Sequence, residues 1–582
     1  MKEKLNILTY TLTYLVKIDF KYISLVLIKS VLFGIMPVIN LKLTQVLIDS
    51  LTRGQEIEFI KILILISVFT CLSDLVGFSI KKIEDYSLLE INKFINIDIL
   101  NKIKKLDAKK LETSETYDII NRVREDFTVA MLDSLNIILD VFSAIIASLS
   151  YIVIVLSYNI FFLVILIVPI IRFLVEKKYV ILEYKNRLDN TQSEIRKNYI
   201  YAMTSDSENF KELKVYRAFD YFISIFKQLS DCINNTYKKI YYNKYRSLSA
   251  LSILDNLVDF FASANLGLRT FSGIISLGDF ILYNNSIDNM KNSLFTIFLN
   301  CALLNKNLEI VEMGKEFFEL DEEIEKADKH KIEAINNIVF KDLSYSYNQN
   351  KVLSNIDLRF EKNKSYTIMG ENGSGKSTLL KILMGIYGDY GGHIHVNGID
   401  LSKIDISSYR NRLNVMFQNY IKYRSSIKEN IFLGENVKED KVSKYISSLG
   451  MDGLIDDINS NLGYEFDGGR WLSEGQWQKL AFLRLINKEC DMYLLDEPSS
   501  SLDIVSERKL LNVLEKISGI KIMICHRFNE YILKSDEIIM LKDGEIIAKG
   551  NHNQMLKICG DYREMYKIYI ETYSYNKSTD VL

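Results

Sequence analysis

Long apolar runs fill the first half of the chain, whereas the second half has only short ones. A bilayer core of about 30 Å is crossed by about 20 apolar residues in a helix. Two of the runs that fit this length contain aspartates, Asp255 and Asp259 in one and Asp288 in the other, and are the least apolar. We predict six transmembrane helices, over residues 19–41, 58–80, 136–157, 160–178, 248–272 and 279–304.

Two long polar connections separate the second span from the third and the fourth from the fifth, while the links between the third and fourth and between the fifth and sixth are short. The first contains EDYSLLEINKFINIDILNKIKKL, whose apolar residues recur at three- and four-residue steps and predict a helix. Lysines such as Lys81 and Lys102 are frequent in it, and Lys2 and Lys4 stand at the N-terminus. Because lysine favours the cytoplasmic side, we expect the N-terminus, both connections and the second half of the chain in the cytoplasm.

The boundary between the halves lies near residues 308–335, where LEIVEMGKEFFELDEEIEKADKHKIEAINN is charged and has no run of membrane length. After it, short strand-like runs alternate with turns, beginning with IVFKDLSYSY. We therefore predict a transmembrane domain over residues 1–320, a linker over 321–337, an α/β domain over 338–572 and a C-terminal tail over 573–582.

Composition narrows the possible functions. The formal net charge is −2 and no basic tail is present, so the sequence has no footprint for nucleic acid. The 6 cysteines are not paired at metal or redox spacing. The opening segment MKEKLNILTYTLTYLVKIDF has polar residues within its apolar run and no small-residue cleavage site after it, which is unlike a secretory signal.

A phosphate-binding loop is predicted in the second half by MGENGSGKSTLLKILMG. Gly370, Gly375, Lys376 and Ser377 fit the spacing G-x4-G-K-[ST], and the motif stands between a strand-like and a helical run, as it requires. Its backbone N–H groups and the lysine would bind the phosphates of ATP, and the Ser377 hydroxyl would ligate Mg²⁺.

Three further apolar runs end in polar side chains. DMYLLDEPSSSLD ends a strand with Asp496 and Glu497, one suited to Mg²⁺ and the other to a general base that polarises water. IKIMICHRF ends in His526, which is either a structural histidine or a sensor of the γ-phosphate. NVMFQNY ends in Gln418, whose amide could reach Mg²⁺ or water. We interpret Gln418, Glu497 and His526 as catalytic, and Ser377, Gln418 and Asp496 as the metal site.

Together these motifs resemble the ATP-binding cassette (ABC) family over Ile338 to Thr572, and LSEGQ is the most specific of them. In that family two nucleotide domains dimerise head to tail, and the phosphate loop of one faces the signature loop of the other across ATP. The resemblance therefore implies that the chain pairs, most simply as a homodimer. A heterodimer stays open.

The resemblance also assigns individual residues. It implies that Tyr347, or less well Tyr345, stacks on adenine, that Ser473, Gly475 and Gln476 form the signature contacts, and that Asp503 is the D-loop aspartate. The phosphate loop would comprise Gly370, Glu371, Asn372, Gly373, Ser374, Gly375, Lys376, Ser377 and Thr378. Glu474 departs from the glycine usual at the second signature position, and we expect its carboxylate to point away from the phosphates, which would repel it.

Six spans ahead of one cassette resemble an exporter half-transporter of the bacterial cell membrane, with coupling helices at ETSETYDIINRV and NFKELKVYRAFDYF. GRWLSEGQWQKLAFLR and LDEPSSSLD look most like peptide and lantibiotic exporters. Export of a peptide or an amphipathic natural product is the resulting hypothesis. A drug or lipid flippase, and an ATP-gated sensor without net transport, are the alternatives.

The aspartates of the fifth and sixth spans allow two interpretations. Asp255 and Asp259 lie four residues apart on one helix face, and Asp288 lies in the next span. Polar groups inside a membrane either bond neighbouring helices or line a path for a substrate. The second interpretation predicts an acidic cavity suited to a cationic peptide.

Overall fold

The computed structural model describes residues 2–111, 113–207, 209–323, 329–347, 350–435, 439–451, 458–463, 466–526 and 528–579. The chain divides into two compact units. The first comprises Met1–Leu106 and Leu111–Glu322, and the second comprises Asp107–Lys110 and Glu323–Leu582. Residues 324–328 of the predicted linker lie outside the described part, and the predicted domain limits stay a prediction.

The first half of the chain is helical. In chain order its α-helices are α1 Lys2–Ile18, α2 Phe20–Thr52, α3 Glu56–Lys105, α4 Ala108–Leu111, α5 Ser114–Arg122, α6 Thr128–Tyr158, α7 Ile167–Asp189, α8 Thr191–Ser205, α9 Phe210–Val215, α10 Ala218–Phe271 and α11 Leu277–Glu319. A π-helical turn, Val123–Phe127, precedes α6, and a 3₁₀ segment, Ile160–Leu166, precedes α7. The two sequences expected to form coupling helices contain the short helices α5 and α9. Residue 112, the first of the former sequence, lies outside the described part.

Each predicted span is helical, and all but the fourth lie on a single α-helix. Within the described residues, four helical stretches are long and apolar enough to cross a membrane: Phe20–Thr52, Glu56–Lys105, Thr116–Tyr158 and Leu277–Glu319. The predicted fourth span is divided between the 3₁₀ segment and α7. The predicted fifth span lies on α10, where Asp255 and Asp259 lower the hydropathy.

Two helices are far longer than a bilayer requires. α3 has 50 residues and α10 has 54, which at about 1.5 Å per residue gives about 75–80 Å. Since the hydrocarbon core is about 30 Å thick, each continues well beyond it. The predicted helical character of the long polar connections is confirmed.

Side-chain caps determine where two of these helices begin, and a glycine allows close packing at one helix contact. The Asp19 carboxylate accepts a hydrogen bond from the N–H of Tyr22 and caps α2, and Ser276 forms a capping box with Asp279 at the start of α11. Gly314 of α11 faces the ring of Phe127, where an added Cβ would lie 2.0 Å from a ring carbon. Only glycine therefore allows this approach.

The second unit is an α/β domain with two sheets. Its strands are β1 Asn337–Tyr347, β2 Asn350–Glu361, β3 Ser365–Met369, β4 Gly391–Val396, β5 Ile399–Asp400, β6 Leu413–Met416, β7 Met492–Asp496, β8 Ile520–Ile524, β9 Glu537–Lys542 and β10 Glu545–Gly550. Its helices are α12 Lys376–Leu383, α13 Ile406–Arg410, α14 Ile427–Phe432, α15 Glu439–Ser448, α16 Glu474–Asn487, α17 Ile504–Glu515, α18 Glu530–Lys534, α19 His552–Ile558 and α20 Gly560–Thr579.

One sheet is antiparallel, in the order β2-β1-β4-β5, and the other has the order β10-β9-β3-β8-β7-β6. In the second sheet β3, β6, β7, β8 and β9 run parallel, and β10 is antiparallel to β9. Every residue of β8 is buried, as expected for a strand covered on both faces. The α/β architecture predicted from short apolar runs is confirmed. α20 extends into the predicted tail.

Candidate functional site

The predicted site residues follow four neighbouring parallel strands. The phosphate loop follows β3, His526 follows β8, Asp496 ends β7 and Gln418 follows β6. Because the carboxyl ends of parallel strands meet at one edge of a sheet, the strand order β3-β8-β7-β6 brings these side chains together.

Two glycines shape the phosphate loop. Gly375 has φ +98° directly before α12, and an added Cβ would lie 2.7 Å from Leu353 Cδ2 and 3.0 Å from the carbonyl oxygen of Val352. A Cβ on Gly370 would lie 2.1 Å from the carbonyl oxygen of Leu541. The loop thus folds closely onto neighbouring backbone, and the N–H groups of the first turn of α12 lack helical partners and can bind an anion.

Lys376 is buried within this loop, with 4% of its surface exposed. Its ammonium donates hydrogen bonds to the carbonyl oxygens of Gly370 at 3.0 Å and Glu371 at 2.6 Å. Burial lowers the pKa of Lys376, while Glu497 and Asp496 oppose that shift. The loop therefore fixes a positive charge beside its own N–H groups.

The carboxylate of Glu497 contacts side chains that follow two other strands of the sheet. Its Oε1 lies 3.0 Å from His526 Nε2, and its Oε2 accepts a hydrogen bond from Gln418 Nε2 at 3.1 Å. Its backbone has φ +50°, in the left-handed region, and its N–H donates to the carbonyl of Ile524 at 3.1 Å. Strained backbone of this kind is concentrated at functional sites, where surrounding structure holds it.

The surroundings of Asp496 and His526 each favour the neutral form of the side chain. Burial, together with the charge of Glu497, raises the pKa of Asp496 to about 6, against the opposing effect of Lys376. Burial and the nearby Lys376 lower the pKa of His526, and Glu497 acts in the opposite direction. A partly buried carboxyl of this kind is suited to a positive ligand, and the oxygens of Asp496, Ser377 and Gln418 are the donors that Mg²⁺ prefers.

The signature loop forms the N-terminus of α16. Ser473 caps the helix by accepting from the N–H of Gln476 at 3.4 Å, and the Gln476 side chain accepts from the N–H of Ser473 at 2.8 Å. A Cβ on Gly475 would lie 3.1 Å from the carbonyl oxygen of Ser501, so this position is tight. Here again N–H groups without helical partners are presented at a helix start.

The carboxylate of Glu474 is held by residues that follow Gln418. Lys422 Nζ lies 2.8 Å from Glu474 Oε2, and the hydroxyl of Tyr420 donates to Oε1 at 3.4 Å. The departure from glycine is therefore accommodated by an ion pair within the same chain. The direction of the carboxylate relative to a bound phosphate stays a prediction.

Gln478 is a functional candidate that the sequence reasoning missed. It is 2% exposed, and its Nε2 donates to the carbonyl oxygen of Glu497 at 3.4 Å and to Ser500 Oγ at 3.2 Å. Its Oε1 accepts from the N–H of Ser501 at 2.9 Å. It thus connects the signature helix to the segment that carries Glu497. The available signal was a glutamine among the mostly apolar residues of α16.

The two candidate adenine contacts differ in exposure. Tyr345 is 2% exposed and stacks on Tyr387, with ring centroids 5.1 Å apart, whereas Tyr347 is partly exposed and donates its hydroxyl hydrogen to Tyr387 at 3.1 Å. Tyr347 is therefore the better placed of the two. Asp503 caps α17 by accepting hydrogen bonds from the N–H and the hydroxyl of Ser506, which lower the pKa of Asp503.

The aspartates predicted to attract a cationic substrate have a partner on the next helix. Lys291 Nζ of α11 lies 2.9 Å from Asp255 Oδ1 and 2.6 Å from Asp259 Oδ1 of α10, and the Lys291 side chain is 8% exposed. Asp288 is exposed and close enough to interact electrostatically with all three. We call these four residues, Asp255, Asp259, Asp288 and Lys291, the α10–α11 charge cluster. Its ion pairs join α10 to α11.

Comparisons with known proteins agree with this geometry. The family model described as ABC transporter matches residues 353–500. The subtilin transport ATP-binding protein SpaT of Bacillus subtilis is 30% identical over 558 residues, which cover 92% of this chain and 90% of that protein. The nisin transport ATP-binding protein NisT of Lactococcus lactis subsp. lactis is 28% identical over 590 residues, or 97% and 96% of the two chains. A solved bacterial Atm1-family ABC exporter with ATP bound superposes with a TM-score of 0.74 at 18% identity, covering 93% of this chain and 97% of that one.

Proposed function

Because this chain belongs to the ABC transporter family, whose members couple ATP hydrolysis to transport, we propose that it exports a peptide or amphipathic natural product as a homodimer. It is a multi-pass protein of the bacterial cell membrane, and its ATP-binding domain is cytoplasmic. The similarity to the subtilin and nisin transport proteins extends over nearly the whole chain, including the helices that would contact a substrate.

The convergence of Gln418 and His526 on the Glu497 carboxylate is the observation that carries the catalytic assignment. We assign Glu497 as the general base that accepts a proton from the attacking water. His526, whose pKa is lowered, holds that carboxylate through Nε2 and would contact the γ-phosphate. Lys376 and the loop N–H groups would bind the phosphates, and Tyr347 would stack on adenine.

We further assign Ser377, Gln418 and Asp496 as the residues that would hold Mg²⁺, which supplies positive charge to the phosphates. The raised pKa of Asp496 supports this assignment, because a buried carboxylate gains from a cation. Within the described residues, no group of three histidine, cysteine or carboxylate side chains could hold a metal ion by itself, and the proposed site includes the hydroxyl of Ser377 and the amide of Gln418 beside Asp496.

The homodimer is supported by the two helix starts in one ATP-binding domain. α12 begins at Lys376 beside the phosphate loop, and α16 begins at Glu474 after the cap Ser473. One ATP needs only one such loop from its own chain. We therefore assign Ser473, Gly475 and Gln476 to the ATP that is bound by a second copy, with Asp503 near the same interface.

For the cargo we propose a cationic peptide, since the α10–α11 charge cluster holds three carboxylates and one ammonium. The pairing with Lys291 offsets part of the negative charge, and the exposed Asp288 is the carboxylate left for a substrate. Charged groups inside a membrane are costly and usually face a bundle interior or a wet cavity.

Transport can be tested in inverted vesicles loaded with the full-length protein, using a fluorescently labelled nisin precursor as the probe. We expect ATP-dependent uptake by the wild-type protein and none by Glu497→Gln, which preserves the size of the side chain. Uptake that is equal in the two, or ATP-dependent movement of a labelled phospholipid without peptide uptake, would contradict peptide export.

A further inference from the structure

A basic cavity lies between α7 and α10 in the first unit. It has a volume of about 600 Å³, within the range of about 300–1,000 Å³ that is usual for ligand sites. Lys178 on α7 and Lys239 and Arg246 on α10 line it, and Leu182 and Ala250 add apolar surface. The cavity thus combines positive charge with an apolar wall.

The three cations are not neutralised by carboxylates. Across the described part of the chain, no aspartate or glutamate forms a salt bridge with Lys178, Lys239 or Arg246. Lys244, which also belongs to α10, forms ion pairs with two glutamates of α7, at 3.5 Å from Glu176 and 3.2 Å from Glu183.

Those pairs and one hydrogen bond hold the walls together. Because Lys244 belongs to α10 and both glutamates belong to α7, the ion pairs join the two helices. The hydroxyls of Tyr179 and Ser247 are also bonded across the helices, at 3.3 Å. The two walls of the cavity are therefore joined by these contacts, and none of its three cations takes part in them.

The position along the helices gives the depth of the cavity in the membrane. The predicted fourth span ends at residue 178 and the predicted fifth begins at residue 248, and α11 leads onward to the cytoplasmic domain. Lys178 and Arg246 thus lie where α7 and α10 leave the hydrocarbon on the cytoplasmic side, and Lys239 lines the same cavity from about two turns further into the cytoplasm on α10. The point where the helices leave the hydrocarbon is the level of the headgroups of the inner leaflet.

We propose that this cavity binds the phosphate headgroup of an anionic phospholipid. The three cations would bind the phosphodiester, while Ala250, which lies inside the predicted fifth span, would face the start of the acyl chains. Basic cavities between helices on the cytoplasmic side recognise anionic lipids in this way. A zwitterionic lipid carries the same phosphate, but its own ammonium would meet the cations of the wall, so selectivity for a net negative lipid follows.

Spin-labelled phosphatidylglycerol provides the test, with the full-length protein in phosphatidylcholine vesicles. The protein-bound fraction of the label is measured for the wild type, for Lys178→Gln/Lys239→Gln, and for the matched control Lys177→Gln/Lys238→Gln. The control removes the same charge from neighbouring positions of the same helices, outside the cavity. We expect the selectivity for phosphatidylglycerol over phosphatidylcholine to fall about fivefold for each cavity lysine removed, and to change little in the control.

Two further measurements complete the test: a variant that keeps the charge, and a competition with free phosphate. Lys178→Arg/Lys239→Arg, which keeps both charges, should retain the selectivity, and binding of ATP to each variant reports that it is folded. Inorganic phosphate at about 10 mM should not displace the labelled lipid, because it lacks the acyl chains that place the headgroup at this depth. An equal loss in the control, no loss in the cavity variant, or displacement by free phosphate would overturn the proposal.

Discussion

At the scale of single residues, Glu497 has contacts that fit a base held in place on two sides. Glu497→Gln removes the charge that accepts a proton but leaves a side chain of the same size between Gln418 and His526. Because a positioned base contributes about 10²- to 10⁴-fold, we expect ATP hydrolysis to fall at least about 100-fold while ATP still binds. Hydrolysis and nucleotide binding are measured on the same purified protein, and a wild-type rate would refute the assignment.

The pKa of Asp496 leads to a prediction about stability and pH. Its value in the folded chain, about 6, is above the ordinary 3.8, so the folded state holds the proton more tightly than the unfolded state does. The resulting stabilisation is complete below about pH 4 and is lost as the pH rises to about 6. Without Mg²⁺, Asp496→Asn should therefore become more stable than the wild type over this interval.

The expected gain is about 2 kcal/mol above pH 6, after allowance for partial exposure. Thermal unfolding of both proteins in buffers without Mg²⁺, from pH 4.5 to 7.5, measures the difference. A difference that does not change with pH would show that the environment of Asp496 does not favour its protonated form.

The phosphate loop, Gln418, Asp496, Glu497 and His526 could be predicted from sequence because each ends or follows an apolar strand run, and parallel strands end at one edge of the sheet. Tyr347, the signature residues and Asp503 were assigned only through the family resemblance. Gln478 could not, since its role depends on hydrogen bonds to Glu497 and Ser500, which are distant in sequence and become neighbours only when α16 packs. The partner of Glu474 was unforeseen for the same reason: Lys422 lies far from it in the chain.

At the scale of elements, apolar periodicity predicted the helices, but not which charges on neighbouring helices meet. Asp255 and Asp259 were placed correctly on one face of a helix. The sequence does not indicate, however, which residues of α11 lie opposite that face, so the contact with Lys291 could not be predicted. Register depends on packing of the whole bundle. The cargo hypothesis was therefore formed without the lysine that offsets part of the charge.

This pairing changes what substitutions in the α10–α11 charge cluster should do. Asp255→Asn/Asp259→Asn leaves the buried ammonium of Lys291 without a carboxylate partner, which in buried pairs costs about 3–5 kcal/mol. We expect a clear loss of thermal stability in lipid nanodiscs, partly restored by adding Lys291→Gln. Unchanged stability of the double variant would contradict a structural role for these ion pairs.

Asp288→Asn separates the cargo hypothesis from that structural role, because Asp288 is exposed and has no salt bridge among the described contacts of Lys291. Peptide-stimulated ATP hydrolysis should need several-fold more cationic peptide for half-maximal effect, with basal hydrolysis unchanged. The shift should shrink at high salt if the site is open to bulk ions. A peptide titration identical to that of the wild type would remove Asp288 from the substrate site.

At the scale of the whole molecule, one ATP-binding domain presents two helix starts suited to phosphate, and the proposed dimer assigns them to different ATP molecules. Lys376 and Ser473 of one chain then belong to two different sites. Conversely, Lys376 of one subunit and Ser473 of the other share a site. This arrangement makes a prediction that no single-chain site can make.

Mixed dimers of a Lys376→Ala chain and a Ser473→Ala chain, carrying different affinity tags and purified by both, test that arrangement. Both substitutions fall in the same site, so the other site keeps an intact phosphate loop and an intact signature loop. We expect substantial ATP hydrolysis in the mixed dimer and little in either homodimer, where both sites are damaged. A mixed dimer of wild type with the double variant Lys376→Ala/Ser473→Ala is the matched control, because its two substitutions damage both sites. If the two mixed dimers hydrolyse ATP equally slowly, the sites are not shared as independent units, and the head-to-tail dimer loses its functional support.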